Sequence, residues 1–232
     1  MNAIFSKNHG FLRKIFIWLL VVSCLSVLPL TGCKKPTEYF SYVSELRDNI
    51  FLAQTDGFTL KIQSVSKETP YQTDGIPRET TTRTEIFLTA SAGDKPCAIS
   101  FRIGDQNFGG DMSFDNVRCE YYYSCTLDVS NQSEIPCTLT YDGQSVELLA
   151  KSVLDEDTLT PKQVLEKVRD TEKELFDSLT DKYGFAGEIY LRLLYEDVAH
   201  YYVGVIDRNA NVYAFLVNAK TGKILAKRQS HP

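Results

Sequence analysis

Tyr201-Tyr202-Val203-Gly204-Val205-Ile206-Asp207 and, after a polar break, Val212-Tyr213-Ala214-Phe215-Leu216-Val217-Asn218 decide the reading of this chain. Tyr201, Val203 and Val205 recur with period two, the spacing that puts them on one face of a strand. Asp207-Arg208-Asn209-Ala210-Asn211, between the two runs, is turn chemistry. Upstream, Ile189, Leu191, Leu193 and Tyr195 alternate in the same way. Downstream, Asn218-Ala219-Lys220-Thr221-Gly222-Lys223 makes a second turn into a short apolar end, Ile224-Leu225-Ala226. Three such strands joined by tight turns predict an antiparallel sheet with an apolar face to cover.

The preceding residues supply the cover. In Thr160-Pro161-Lys162-Gln163, Thr160 can cap a helix, Pro161 suits its first position and Gln163 completes a capping box. Val164, Leu165, Val168, Leu175, Phe176, Leu179 and Tyr183 then fall on one helical face, and Gly184 stands where a C-terminal cap belongs. The spacing therefore predicts one helix packed on a three-stranded antiparallel sheet, an α+β module over 158–230. The closing motif, Val212 to Leu225 after the Tyr-x-Val-x-Val run, resembles the end of a PepSY domain, and the resemblance spans about 160–228. Asn218 stands where that family often has Asp. The resemblance implies a binding or inhibitory module with a peptidase or another envelope protein as partner, and it brings no catalytic residues.

Residues 49–153 read differently. Phe58, Leu60 and Ile62 alternate with polar residues, as do Cys97, Ile99, Phe101 and Ile103. Gly93-Asp94-Lys95-Pro96, Gly104-Asp105, Gly109-Gly110 and Asp142-Gly143 punctuate the runs. Short strands at this spacing predict an antiparallel, Ig-like β-sandwich, so the whole chain is expected to be mainly β. Tyr121 and Tyr123 should face one way and Tyr122 the other, which argues against a three-ring platform and for strand packing. Glu38–Asn49 reads as a short helix or tether.

The first 32 residues have the order of a lipoprotein signal peptide. Lys7, Arg13 and Lys14 precede an apolar run from Ile15 to Leu30, and no Asp or Glu occurs before Glu38. Leu30-Thr31-Gly32-Cys33 resembles the bacterial lipobox, which implies cleavage between Gly32 and Cys33 and acylation of Cys33 by chains such as palmitate. Residues 33–48 then hold the lipidated cysteine and a tether. The expected location is the extracytoplasmic face of the cell membrane, with membrane lipid contacted through Cys33.

Removing that segment takes away three basic and no acidic residues, leaving 22 basic against 30 acidic. An acidic balance argues against nucleic acid as a partner. Cys97, Cys119, Cys125 and Cys137 remain within one module. They leave two alternatives: two disulfides, with three connectivities, or free thiols. Their spacing lacks the Cys-x2-Cys pair of a zinc site. Asp207-x-Asn209-x-Asn211 opens like a calcium loop, but Val212 and Asn218 occupy the positions that need Gly and Glu. The sequence therefore predicts no metal, no cofactor and no enzyme activity. The expected function is a non-catalytic, lipid-anchored binding module of the cell envelope. Two alternatives are a peptidase inhibitor acting through the PepSY-like part and a solute-binding or structural envelope lipoprotein.

Overall fold

The computed structural model describes residues 37–91 and 93–231, and the chain is mainly β. A 3-10 turn at Tyr39–Tyr42 leads into β1 (Val43–Gln54). Along one edge β1 pairs antiparallel with β2 (Phe58–Glu68). Along the other edge it changes partner midway. Val43 to Arg47 run parallel to β12 (Gly187–Tyr195), whereas Phe51 and Leu52 pair antiparallel with β9 (Gln144–Ser152). Bulges between Val43 and Glu45 and between Arg47 and Asn49 add the local bend that such a switch needs. Asn49, at the second bulge, donates to the Ser130 carbonyl at 2.9 Å and accepts from the Ser152 hydroxyl at 2.7 Å.

Three runs of strands leave β1. From β2 the sheet continues through β3 (Thr80–Ala90) and β7 (Glu120–Cys125) to β6 (Ser113–Asp115). From β9 it passes through β8 (Glu134–Tyr141) and β4 (Cys97–Ile103) to β5 (Gln106–Asp111). From β12 it continues through β13 (Ala199–Asp207) and β14 (Val212–Asn218) to β15 (Ile224–Ser230). The described residues cluster as one compact unit.

Two apolar clusters fill this frame. Phe51, Leu60, Ile62, Ile86, Leu88 and Tyr121 belong to the first, which lies between the β2 and β9 branches. The second joins α1 (Pro161–Thr171) to the β12 branch, through Val164, Leu165 and Val168 against Ile189, Leu191, Tyr201 and Val203. Each such side chain, fully buried, contributes about 1.5–3 kcal/mol. Thr160 and Gln163 form the reciprocal cap at the start of α1.

Three local expectations differ from the structure. The single helix is broken at Glu172, after which α2 (Lys173–Ser178) turns Phe176 into an aromatic group with Tyr39 and Phe185. Tyr183 is 84% exposed at the tip of a small hairpin of β10 (Thr180–Asp181) and β11 (Gly184–Phe185), so it leaves the helical face altogether. Ser178, Thr180 and Asp181 favour local side-chain bonds over helix, and the Thr180 hydroxyl donates to the Phe176 carbonyl at 2.7 Å. Glu38–Asn49 is neither helix nor tether beyond its 3-10 turn, because β1 begins at Val43. The β12 branch has four strands, since β15 is a polar, exposed edge strand that carries little alternation.

The loop between β2 and β3 is strapped to the β12 branch through Gly75. Its N–H donates to Glu188 Oε1 at 3.2 Å. Gly75 has φ +72°, and a Cβ there would stand 2.4 Å from the Asp207 carbonyl oxygen, so only glycine fits. Glu188 is fully buried, and none of the ion pairs among the described residues includes it. The Tyr190 hydroxyl donates to the same Oε1 at 3.2 Å, and Ser44 and Glu68 lie beside it. Among the described residues, Glu188 Oε2 and the Ser44 hydroxyl find no hydrogen-bond partner. Burial pushes the Glu188 carboxyl above its ordinary value, with the Glu68 charge adding to the push. A raised carboxyl is best tolerated while protonated, so its cost grows as pH rises from the unfolded-state value through the folded one. Glu188→Gln keeps the acceptor for Gly75 and supplies a donor toward Ser44. At pH 7 it should stabilise the fold by about 1 kcal/mol, or about 2–4 °C in melting midpoint, and the gain should vanish near pH 4. Thermal melts of both proteins at the two pH values check this, and a loss at pH 7 contradicts it.

Candidate functional site

Alternation along β3 places Ile86 and Leu88 in the first core and turns Glu85 and Phe87 to the opposite face. The same rule buries Tyr121 and turns Tyr122 outward. Register then aligns Lys61, Phe87, Tyr122 and Ser113 across β2, β3, β7 and β6. Over Phe87, Tyr122 and Ser113 lies a groove of about 550 Å³, whose lining also includes Arg47, Gln63, Lys67, Glu85, Phe114, Asp115, Arg118 and Glu120.

The floor is aromatic. The Phe87 and Tyr122 rings lie 5.3 Å apart at 49°, and the Lys61 ammonium sits 4.8 Å from the Phe87 centroid. The polar side is a fixed network. Gln63 Nε2 donates to Glu85 Oε2 at 2.8 Å, and Lys67 Nζ donates to Glu85 Oε1 at 3.3 Å. Gln63 and Glu85 are both buried, so neither can wander. Arg47 Nε donates to Glu45 Oε1 at 2.7 Å, and Glu45 in turn accepts from Arg192 of β12 at 2.5 Å. Burial alone would raise the Glu45 carboxyl, but the two guanidiniums hold it below its ordinary value. At the far wall Arg118 faces Glu120 at 3.6 Å and Asp115 at 3.9 Å. Asp115 also accepts the backbone N–H groups of Arg118 and Val117, which keep its carboxyl low. The arrangement offers donors, acceptors and an aromatic floor. Among the described residues, Ser113 is its one lining hydroxyl on an aliphatic side chain, and no histidine lines the groove.

The sequence motifs fall elsewhere. Gly32 and Cys33 lie outside the described residues. Asn218 Oδ1 accepts from the Lys220 and Thr221 N–H groups at 3.1 and 2.9 Å, the service an aspartate would give, and Gly222 closes the turn at φ +71°. Asp207 likewise closes its own hairpin, accepting from Asn209 N, Asn211 N and Asn211 Nδ2. Burial would raise that carboxyl, and these donors hold it below its ordinary value. His200 bonds the Val198 carbonyl through Nδ1 at 3.0 Å, at the start of β13. Among the described residues no group of three or more His, Cys, Asp or Glu side chains is placed to hold a metal. No helix among them is long and apolar enough to cross a membrane.

Cys97, Cys119, Cys125 and Cys137 are free thiols. Cys97 pairs with Tyr141 and Cys137 with Phe101 on adjacent strands. This four-residue offset separates them by about 13 Å along the strand, about twice a disulfide's reach. Cys119 directly precedes β7 and Cys125 ends it, so the connectivity Cys97–Cys137 with Cys119–Cys125 does not fit the fold. Cys97 packs its sulfur 3.7 Å from that of Met112.

Of the groove residues, Gln63, Glu85 and Phe87 escaped the sequence reading, which placed Tyr122 only as facing away from Tyr121 and Tyr123. Their only signal was being out of phase with the apolar face of their strands. No family model matches the chain, and no curated protein or solved structure matches it either.

Burial pushes the Cys97 thiol up to about 11 and Cys137 up to about 12. At pH 8 no more than about one molecule in a thousand then carries the reactive thiolate at either site. Brief alkylation of the native protein at pH 8, mapped by mass spectrometry, should mark exposed Cys119 first and spare Cys97 and Cys137 until denaturant is added. Equal labelling of all four in the native state contradicts the assignment.

Proposed function

We propose that this chain is a non-catalytic, lipid-anchored binding protein of the bacterial envelope, held at the extracytoplasmic face through Cys33. The groove on the β2–β3–β7–β6 face carries the reading, because it combines an aromatic floor with polar walls already fixed in place. In this reading residues 49–153 act as an Ig-like sandwich that presents the groove. Residues 158–230 act as a PepSY-like module, supported by α1 packed on the β12 branch and by the Asn218–Gly222 turn. The basic, apolar, small-residue and cysteine order of residues 1–33 supports the anchor.

A second reading, a peptidase modulator, is favoured by β15. Among the described residues this strand pairs only with β14, so its outer edge is free to add an extended peptide segment.

Two measurements test the proposal together. Metabolic labelling with an alkyne palmitate analogue should mark the wild-type protein and leave Cys33→Ser unmarked. A photo-crosslinking amino acid should then be placed at Ser113 in the groove, Leu149 on β9 or Leu225 on β15, all in living cells. The groove reading expects adducts from position 113 above those from 149. Adducts confined to position 225 transfer the function to the β15 edge, and unlabelled wild-type protein removes the anchor.

A further inference from the structure

The lining of the groove carries three cations and three carboxylates, and each cation already has a carboxylate partner. Lys67 is paired with Glu85, Arg118 with Asp115 and Glu120, and Arg47 with Glu45 just behind the rim. An anionic ligand would have to pull a cation away from its partner, and a cationic ligand would have to pull away a carboxylate. Glu85 is the firmest of these, since both its oxygens accept hydrogen bonds in a buried position. A hydroxyl group avoids that cost. It donates to a carboxylate and accepts from an ammonium or guanidinium at once, leaving the pair intact.

Beside this row, the Phe87–Tyr122 floor offers apolar area to the C–H face of a ring. The groove crosses five neighbouring strands, from β1 through β2, β3 and β7 to β6, encloses about 550 Å³, and its rim residue Arg118 is largely exposed. We infer that the groove binds a neutral saccharide chain, with one sugar ring over Tyr122 and Phe87 and its hydroxyls on the Gln63–Glu85–Lys67 and Arg118–Glu120 networks. The inference rests on the groove being the binding site proposed above.

The test is calorimetry on the full-length protein in detergent, with cellotetraose and chitotetraose as neutral probes and a tetragalacturonate as the anionic one. At least one neutral tetrasaccharide should bind. Raising the salt to about 0.5 M should change its affinity less than about twofold, because no ion is exchanged. Tyr122→Ala should weaken binding by about tenfold, the loss of one stacked ring. Should that variant melt early, Arg118→Gln at the exposed rim tests the same site with no risk to the core, and about threefold weakening is expected. Failure of both neutral probes overturns the inference. So does preferential, salt-sensitive binding of the tetragalacturonate. In those cases, crosslinking from position 113 to a protein leaves the groove as a binding site for another ligand. Absence of any adduct at 113 removes the groove reading itself.

Discussion

Everything in this fold depends on the change of partner along β1. Its first half lies beside β12 in a parallel pair, and its second half lies beside β9 in an antiparallel one, while β2 holds its other edge throughout. The strand also feeds both cores. Phe51 and Ala53 enter the first, and Val43, Leu46 and Ile50 enter the second. Neither core can close without it. A parallel pair needs a long crossover, and here the crossover is the whole of β2 to β11.

Buried charge marks the seam. Glu45 on β1 is held by Arg192 on β12, whose guanidinium sits 5.0 Å from the Tyr190 ring and 5.5 Å from Tyr202. A buried pair of this kind adds little net stability but is costly to break, so it enforces one register between the strands. Asp48, at the second bulge, is pushed up to about 6 by burial, with Asp128 near it. Glu188 lies under the Gly75 strap a few residues away. Polar residues thus concentrate where the two cores meet, and the apolar alternation that identifies a strand is lost there.

That loss explains what sequence reasoning missed. Val43-Ser44-Glu45-Leu46-Arg47-Asp48-Asn49 has the polar residues Ser44, Glu45 and Asn49 at its buried positions and two bulges, so no period survives in it. β15 failed for the opposite reason: as an exposed edge it needs polar residues on both faces. The groove was hidden for a third reason. Glu85 and Phe87 look like the ordinary outer face of a strand, and only the register of β2, β3 and β7 sets them beside Gln63 and Tyr122.

By itself the sequence determined the strands and turns whose chemistry is local. The alternation of Ile189 to Tyr195 and of Tyr201 to Val205, the capping box at Thr160 and the Asn218–Gly222 turn are each written within a few residues, because hydrogen bonding and pleat fix them locally. The order of basic, apolar and small residues ending at Cys33 is a sequence pattern of the same local kind, in a segment outside the described residues. The tertiary structure alone decided which strands meet. β1 could have ended one sheet, yet it joins two cores because residues more than 130 positions downstream lie along its edge. The groove follows from that pairing. Its floor and walls come from five strands, and no short stretch of sequence can record a surface that exists only when distant strands share a register.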